Sequence, residues 1–172
     1  IKNSEKFVLP GVGSFDTTMQ NLTNLNILET LKIEVLEKEK HILGICVGMQ
    51  IFSNKSEEGM LDGLGWIPGE VKKFDKRKLK ELNLFLPHMG WNSLRSNTKS
   101  HPLLLNINFE VGFYFLHSYF FIPRYEDNNL ASANYGNLFS SIISKNNIHG
   151  VQFHPEKSHE NGIQLLKNFA NL

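Results

Sequence analysis

Short, wholly apolar runs alternate along this chain with stretches in which apolar positions recur every three or four residues. Phe7-Val8-Leu9-Pro10-Gly11 reads as a strand running into a turn. Across residues 24–40, Leu28, Leu31, Val35 and Leu36 recur at helical spacing with charges between them. That spacing predicts an amphipathic helix ending near His41. Ile42-Leu43-Gly44-Ile45 follows as a strand of the kind buried on both faces of a parallel sheet. A second helix is expected just after Cys46, carrying Met49, Ile51 and Phe52. Strand, helix and strand in this order predict a parallel α/β sheet.

The middle of the chain changes character. Over residues 65–91, glycines, prolines and the lysines at 72, 73, 76, 78 and 80 predict irregular structure with short antiparallel strands and a solvated basic face. Residues 113–121 are rich in aromatics and read as a strand. Further strands are expected at 131–135, 139–144 and 148–153, with turns at Gly136-Asn137 and Asn146-Asn147. A final helix over 159–171 should turn Ile163, Leu166 and Phe169 to one face, with Ser158 as its N-cap. No repeat or linker interrupts the pattern, so residues 1–172 are expected to form one domain.

Composition narrows the classes without choosing among them. The 172 residues suffice for a sizeable core. The longest apolar runs fall far short of the roughly 18 residues that span a bilayer, so no membrane is expected. A net charge of +1 gives no reason to expect nucleic acid. A single cysteine excludes an internal disulfide and suits a reducing, cytoplasmic location. There is no basic-then-apolar leader. The chain opens without methionine on what is already a strand, so an N-terminal trim of about one β-α unit, roughly 30 residues, is expected.

That cysteine sits in Gly44-Ile45-Cys46-Val47-Gly48, which has the form of a nucleophile elbow. The glycines allow a sharp turn and close helix packing. A helix N-terminus and a nearby imidazolium are expected to lower the thiol pKa. The Val47 N–H would point where an oxyanion forms. The competing reading makes Cys46 a small core residue. His154-Pro155-Glu156 at a strand exit tilts the balance, because an imidazole and a carboxylate supply the base and the orienting group of covalent acyl transfer. A surface His-Pro turn and a metal site with His159 are the alternatives. The spacing matches neither a structural zinc site nor a His-Glu-x-x-His helix, so no metal and no cofactor are expected. The turn Pro10-Gly11-Val12-Gly13-Ser14-Phe15 offers the other half of an oxyanion hole, with glycines that let a peptide plane rotate.

At Gly44-Ile45-Cys46-Val47-Gly48-Met49-Gln50 and Gln152-Phe153-His154-Pro155-Glu156 the chain resembles the class I glutamine amidotransferases, which carry a Cys-His-Glu triad. Pro10 to Phe15, Pro87-His88-Met89-Gly90-Trp91-Asn92 and Phe115-Leu116-His117-Ser118-Tyr119 are similar to one branch, the glutaminase subunits of histidine biosynthesis. The resemblance implies a flavodoxin-like α/β fold, a mixed, mostly parallel sheet flanked by helices, here without its first strand and helix. It implies Cys46 as nucleophile, His154 as general base and acid, and Glu156 as its partner. Gly13, Gln50, Ser118 and Tyr119 would hold glutamine, and the backbone at Val12 and Val47 would form the oxyanion hole. His88, Met89, Gly90, Trp91, Asn92 and Lys157 would face a (β/α)₈-barrel cyclase partner in a heterodimer. Glutamine would be hydrolysed to glutamate and ammonia through a thioester. The partner would take the ammonia to form imidazole glycerol phosphate and AICAR. The lysine-rich stretch and the ending His159-Glu160-Asn161-Gly162 are also similar to paralogues that feed ammonia to a sugar amidotransferase of surface polysaccharides. Two other readings are a γ-glutamyl peptidase, which the 87–92 docking string opposes, and a non-catalytic, partner-stabilising subunit, which an intact triad opposes.

Overall fold

In the computed structural model, which describes every residue except 2 and 12, the wholly apolar run becomes strand β2 (Ile42–Cys46), buried along its entire length. It lies between two parallel neighbours, β1 (Phe7–Gly11) and β11 (Ile148–Val151). Ile42 is in register with both Phe7 and Ile148. The sheet continues antiparallel through β10 (Leu138–Lys145), β9 (Asn129–Asn134) and the short β6 (Arg95–Ser96). Its order is β1-β2-β11-β10-β9-β6, a mixed sheet whose parallel part is the three strands around β2.

The aromatic run at 113–121 is two strands. β7 (Phe113–His117) pairs antiparallel with β5 (His88–Asn92), while β8 (Tyr119–Pro123) pairs with β4 (Gly69–Lys73), itself joined to β3 (Lys55–Ser56). The break falls at Ser118, where the chain passes from one small sheet to the other. Phe113, Phe115, Phe121 and Phe153 are fully buried, and the rings of Phe113 and Phe153 stack at 3.7 Å.

Helix α1 (Phe15–Asn24) occupies a stretch to which the sequence pattern, beyond the turn ending at Phe15, assigns no element. Ser14 caps it, its Oγ accepting from the Thr17 N–H at 3.3 Å, and Phe15, Met19 and Leu22 form its buried stripe. The single helix expected over 24–40 is instead α2 (Leu28–Lys32) running into a π-helical turn, Ile33–Glu37. Leu31 and Val35 are buried as expected, but Leu36 is 41% exposed. The wide turn carries Leu36 off the inner face and Glu34 into it, where Lys38 and Lys40 pair with the carboxylate at 2.7 and 2.5 Å. Helix α3 (Val47–Gln50) follows the cysteine. In the basic middle segment Asp75 caps a short helix, α4 (Lys76–Glu81), by accepting from the Arg77 N–H at 2.8 Å.

The last helix, α5 (His159–Ala170), buries Phe169 and packs Leu166 against the core as predicted, but its inner face is shifted away from Ile163. Ile163 is 54% exposed, whereas Asn161 and Asn168 are buried beside Leu165 and Phe169. Both asparagines serve loop carbonyls. Asn161 Nδ2 donates to Asn108 O and Gly112 O at 2.7 and 2.8 Å, and Asn168 Nδ2 to Leu103 O and Leu105 O at 3.0 and 2.7 Å. A hydropathy pattern cannot register polar side chains buried for this purpose. Ser158 precedes α5 without capping it by its side chain. Its Oγ instead donates to His154 O at 2.6 Å and accepts from the Tyr114 N–H at 3.0 Å. No helix among the described residues is long and apolar enough to cross a membrane.

Candidate active site

The parallel register sets the site. Because Val151 pairs with Ile45, β11 and β2 end on the same rim, with Cys46 at one exit and Gln152, Phe153 and His154 at the other. At Cys46 the backbone turns sharply, at φ 55° and ψ −111°, a strained conformation for a residue with a side chain. The turn needs room beneath it. A Cβ on Gly48 would lie 2.0 Å from Leu9 O, and one on Gly44 would lie 2.5 Å from Gly48 O. The two glycines of the elbow therefore let α3 rest directly on β1 and β2.

Cys46 lines a cavity of about 310 Å³ together with His154, Gln50, Ser118 and Gly13. His154 is buried, and its Nδ1 meets Glu156 Oε1 at 2.8 Å. That contact leaves Nε2, which is buried and has no hydrogen-bond partner, as the unpaired ring atom of a residue that lines the cavity with Cys46. Three further bonds fix the imidazole's main chain. His154 N–H donates to Tyr114 O at 2.9 Å, and His154 O accepts from Ser158 Oγ and from the Lys157 N–H. An imidazole oriented through one nitrogen with the other unpaired is the arrangement a general base requires.

The thiol is not acidified as the sequence suggests. Burial at 6% exposure pushes it up to about 11, with the negative fields of Glu156 and Glu58 adding to the effect. The Val47 N–H and the Gln152 amide pull the other way and are outweighed. Desolvation wins because the two donors offset only part of the cost of burying a charged sulfur. The resting group is a thiol, with Leu116 O at 3.9 Å as an acceptor. Its nucleophilic form requires a base.

The other predicted residues are distributed as follows. Gln50 Nε2 donates to Tyr119 O and to Gln152 Oε1, both at 3.0 Å. Tyr119 therefore meets Gln50 through its main chain, while its ring lies under Lys73 Nζ at 5.2 Å. Ser118 and Gly13 line the cavity. Val12 lies outside the described residues. On β5, Met89 and Trp91 point outward and are exposed, and Trp91 stacks on His159 at 5.5 Å. His88, expected on that surface, is 3% exposed and turned inward by the alternation of the strand. Asn92 is also tied inward, its Nδ2 bonding His88 Nε2 and Asn134 O. Lys157 is exposed, its Nζ over the Tyr114 ring at 5.6 Å.

Two residues of the site lie outside the predicted set. Glu58 is the one acid among the described residues lining the cavity, and its Oε2 accepts from the Phe15 N–H at 2.8 Å. No local pattern singles it out. Gln152 is fully buried, and its Nε2 lies 3.7 Å from Cys46 Sγ. It opens the string Gln152-Phe153-His154-Pro155-Glu156 by which the chain resembles the class I glutamine amidotransferases, and that string is the available signal. Among the described residues no group of three or more His, Cys, Asp or Glu could hold a metal ion.

A family model described as glutamine amidotransferase class-I matches residues 2–172. The imidazole glycerol phosphate synthase subunit HisH of Leptospira borgpetersenii is 46% identical over 172 residues, spanning 100% of this chain and 83% of that protein. Subunit HisH 2 of Pseudomonas aeruginosa is 44% identical over the same shares. Among solved structures, a glutamine amidotransferase of Thermotoga maritima superposes with a TM-score of 0.65 at 14% identity, over 99% of this chain and 64% of that one. That likeness is one of fold.

Proposed function

Because the chain belongs to the class I glutamine amidotransferases, we propose that it is the glutaminase subunit of an imidazole glycerol phosphate synthase, a single amidotransferase domain over residues 1–172. The observation that carries the site assignment is the buried, unpartnered Nε2 of His154, held by Glu156 through Nδ1, beside the same cavity as the Cys46 thiol. In this reading Cys46 is the nucleophile, His154 the general base and acid, and Glu156 the group that orients the ring and offsets its charge.

The steps follow from those roles. His154 Nε2 takes the thiol proton as the sulfur attacks the carboxamide carbon of glutamine. The Val47 N–H faces the oxygen of the tetrahedral intermediate. Collapse breaks the C–N bond, and His154 returns the proton to the departing ammonia, leaving a thioester. Water then attacks the thioester carbon while His154 takes its proton and passes it to the sulfur. Glutamate leaves and the thiol is restored. Glu58 is suited to the α-ammonium of glutamine, and Gly13, Gln50, Ser118 and Tyr119 to the rest of the amino acid. The exposed Met89 and Trp91, with Gly90, Asn92 and Lys157 beside them, would meet a (β/α)₈-barrel cyclase that consumes the ammonia in the cytoplasm.

The test is glutamate release from glutamine by the full chain, alone and with candidate synthase partners, with Cys46→Ala as control. Release that depends on Cys46 and rises with the imidazole-forming cyclase supports the proposal. Release that rises only with a sugar amidotransferase reassigns the partner and the acceptor. No Cys46-dependent release in any pairing leaves a binding subunit.

A further inference from the structure

Behind the cavity, amide and imidazole side chains form one hydrogen-bonded series whose direction is set by a single acceptor. The Tyr119 carbonyl can only accept, and it takes His117 Nδ1–H at 2.8 Å and Gln50 Nε2–H at 3.0 Å. With its proton on Nδ1, neutral His117 keeps Nε2 as an acceptor, so His88 Nδ1–H donates to it at 3.0 Å. His88 Nε2 then accepts from Asn92 Nδ2 at 3.2 Å, and Asn92 Nδ2 also donates to Asn134 O at 2.9 Å. On the other branch the Gln50 nitrogen reaches Gln152 Oε1 at 3.0 Å, which turns the Gln152 nitrogen toward Cys46 Sγ at 3.7 Å. Every donor in the series meets an acceptor. Reversing one member places two acceptors or two donors together.

We propose that Gln152 holds an N–H donor on the Cys46 sulfur, and that Gln50, fixed by the Tyr119 carbonyl, is the positioning residue that keeps its amide from turning over. The consequence for glutamine hydrolysis rests on the glutaminase reading above; the effect on the sulfur does not. An N–H at 3.7 Å favours the thiolate, whereas a reversed amide would present a carbonyl oxygen and favour the thiol. No new bond is made or broken, and the thiol proton still goes to His154 Nε2. Gln152 is fully buried, so water does not dilute its effect. The charged and titratable groups around the sulfur are Glu58, Glu156, His154, His117 and Tyr119. The two carboxylates and burial oppose the thiolate, while the Val47 N–H and Gln152 support it. Two donors therefore stand against an otherwise hostile site, and one of them is a side chain that needs an external reason to face the right way.

Cys46 is the single cysteine of the chain, so alkylation by iodoacetamide reports it alone. Rates would be measured between about pH 6 and pH 9, with a melting curve for each variant. Gln152→Leu is expected to slow alkylation about tenfold at each pH, and Gln152→Glu by more, because it offers only acceptors. Gln50→Leu, which removes the donor on Gln152 Oε1 and frees the amide to turn over, is expected to slow it too. Unchanged alkylation across this pH range in a folded Gln152→Leu or Gln50→Leu variant would overturn the proposal. If the unmodified chain alkylates with this dependence and yet releases no glutamate, the glutaminase reading falls and the donor series stands.

Discussion

At Cys46 backbone and side chain answer to different forces. The glycines on either side make the turn sterically feasible, and that requirement is local, so it is legible in five residues. The thiol's acidity is not, because it depends on burial and on Glu58 and Glu156 arriving from distant segments. The same division governs two expected outcomes. Gly48→Ala sets a Cβ 2.0 Å from Leu9 O, a backbone atom that cannot swing aside. It should cost about 1–3 kcal/mol in urea unfolding and abolish glutamate release. Glu156→Gln retains an acceptor for His154 Nδ1–H but loses the charge that offsets an imidazolium. Its side chain is 55% exposed, which softens the effect. A fall of about tenfold in kcat is expected, with urea stability within about 0.5 kcal/mol of the parent.

Among the elements, the strands that meet at the rim are the readable ones. A wholly apolar run such as 42–45 has few places to go except between two parallel neighbours, and the His154 string follows the strand that pairs with it. The helices are harder. α1 and α4 carry Ser14 and Asp75 as caps, but each is short and its apolar stripe is thin. α5 buries two asparagines because loops above it have carbonyls to satisfy. Ser158 illustrates the same point with functional weight. Its place in the sequence suggests a cap for the helix after it, yet its hydroxyl ties His154 O to Tyr114 N. Ser158→Ala removes both bonds in a fully buried position. The expected cost is about 1–3 kcal/mol in unfolding, with kcat falling more than KM rises, since the base moves and the binding residues do not.

Over the whole molecule, burial of neutral histidines ties stability to pH. Burial holds His149 and His117 down to about 3 and His88 to about 4, against an ordinary value of 6.5. As pH falls below 6.5 the unfolded chain takes up protons that the folded chain refuses. Stability should therefore be full above that pH and decline toward pH 4, by at most about 1.4 kcal/mol per pH unit for each histidine. On the alkaline side the sign reverses. The Cys46 thiol ionises near 9.0 when unfolded and near 11 when folded, so stability declines as pH rises through that window. Urea midpoints measured from acid to alkaline pH should trace this dome, and Cys46→Ala should flatten its alkaline limb alone.

By itself the sequence determined the elbow, the His-Pro-Glu string, the α/β class and the strands that bring these together, because each rests on short-range sterics or on a pattern of adjacent residues. Tertiary structure alone decided that the thiol rests protonated, that His88 faces inward, that Ser158 braces His154 and that Glu58 and the Gln152 amide lie around Cys46. Each of these is a property of surroundings assembled from segments far apart in the chain. Desolvation and hydrogen-bond direction are set by those surroundings, and no single stretch of residues contains them.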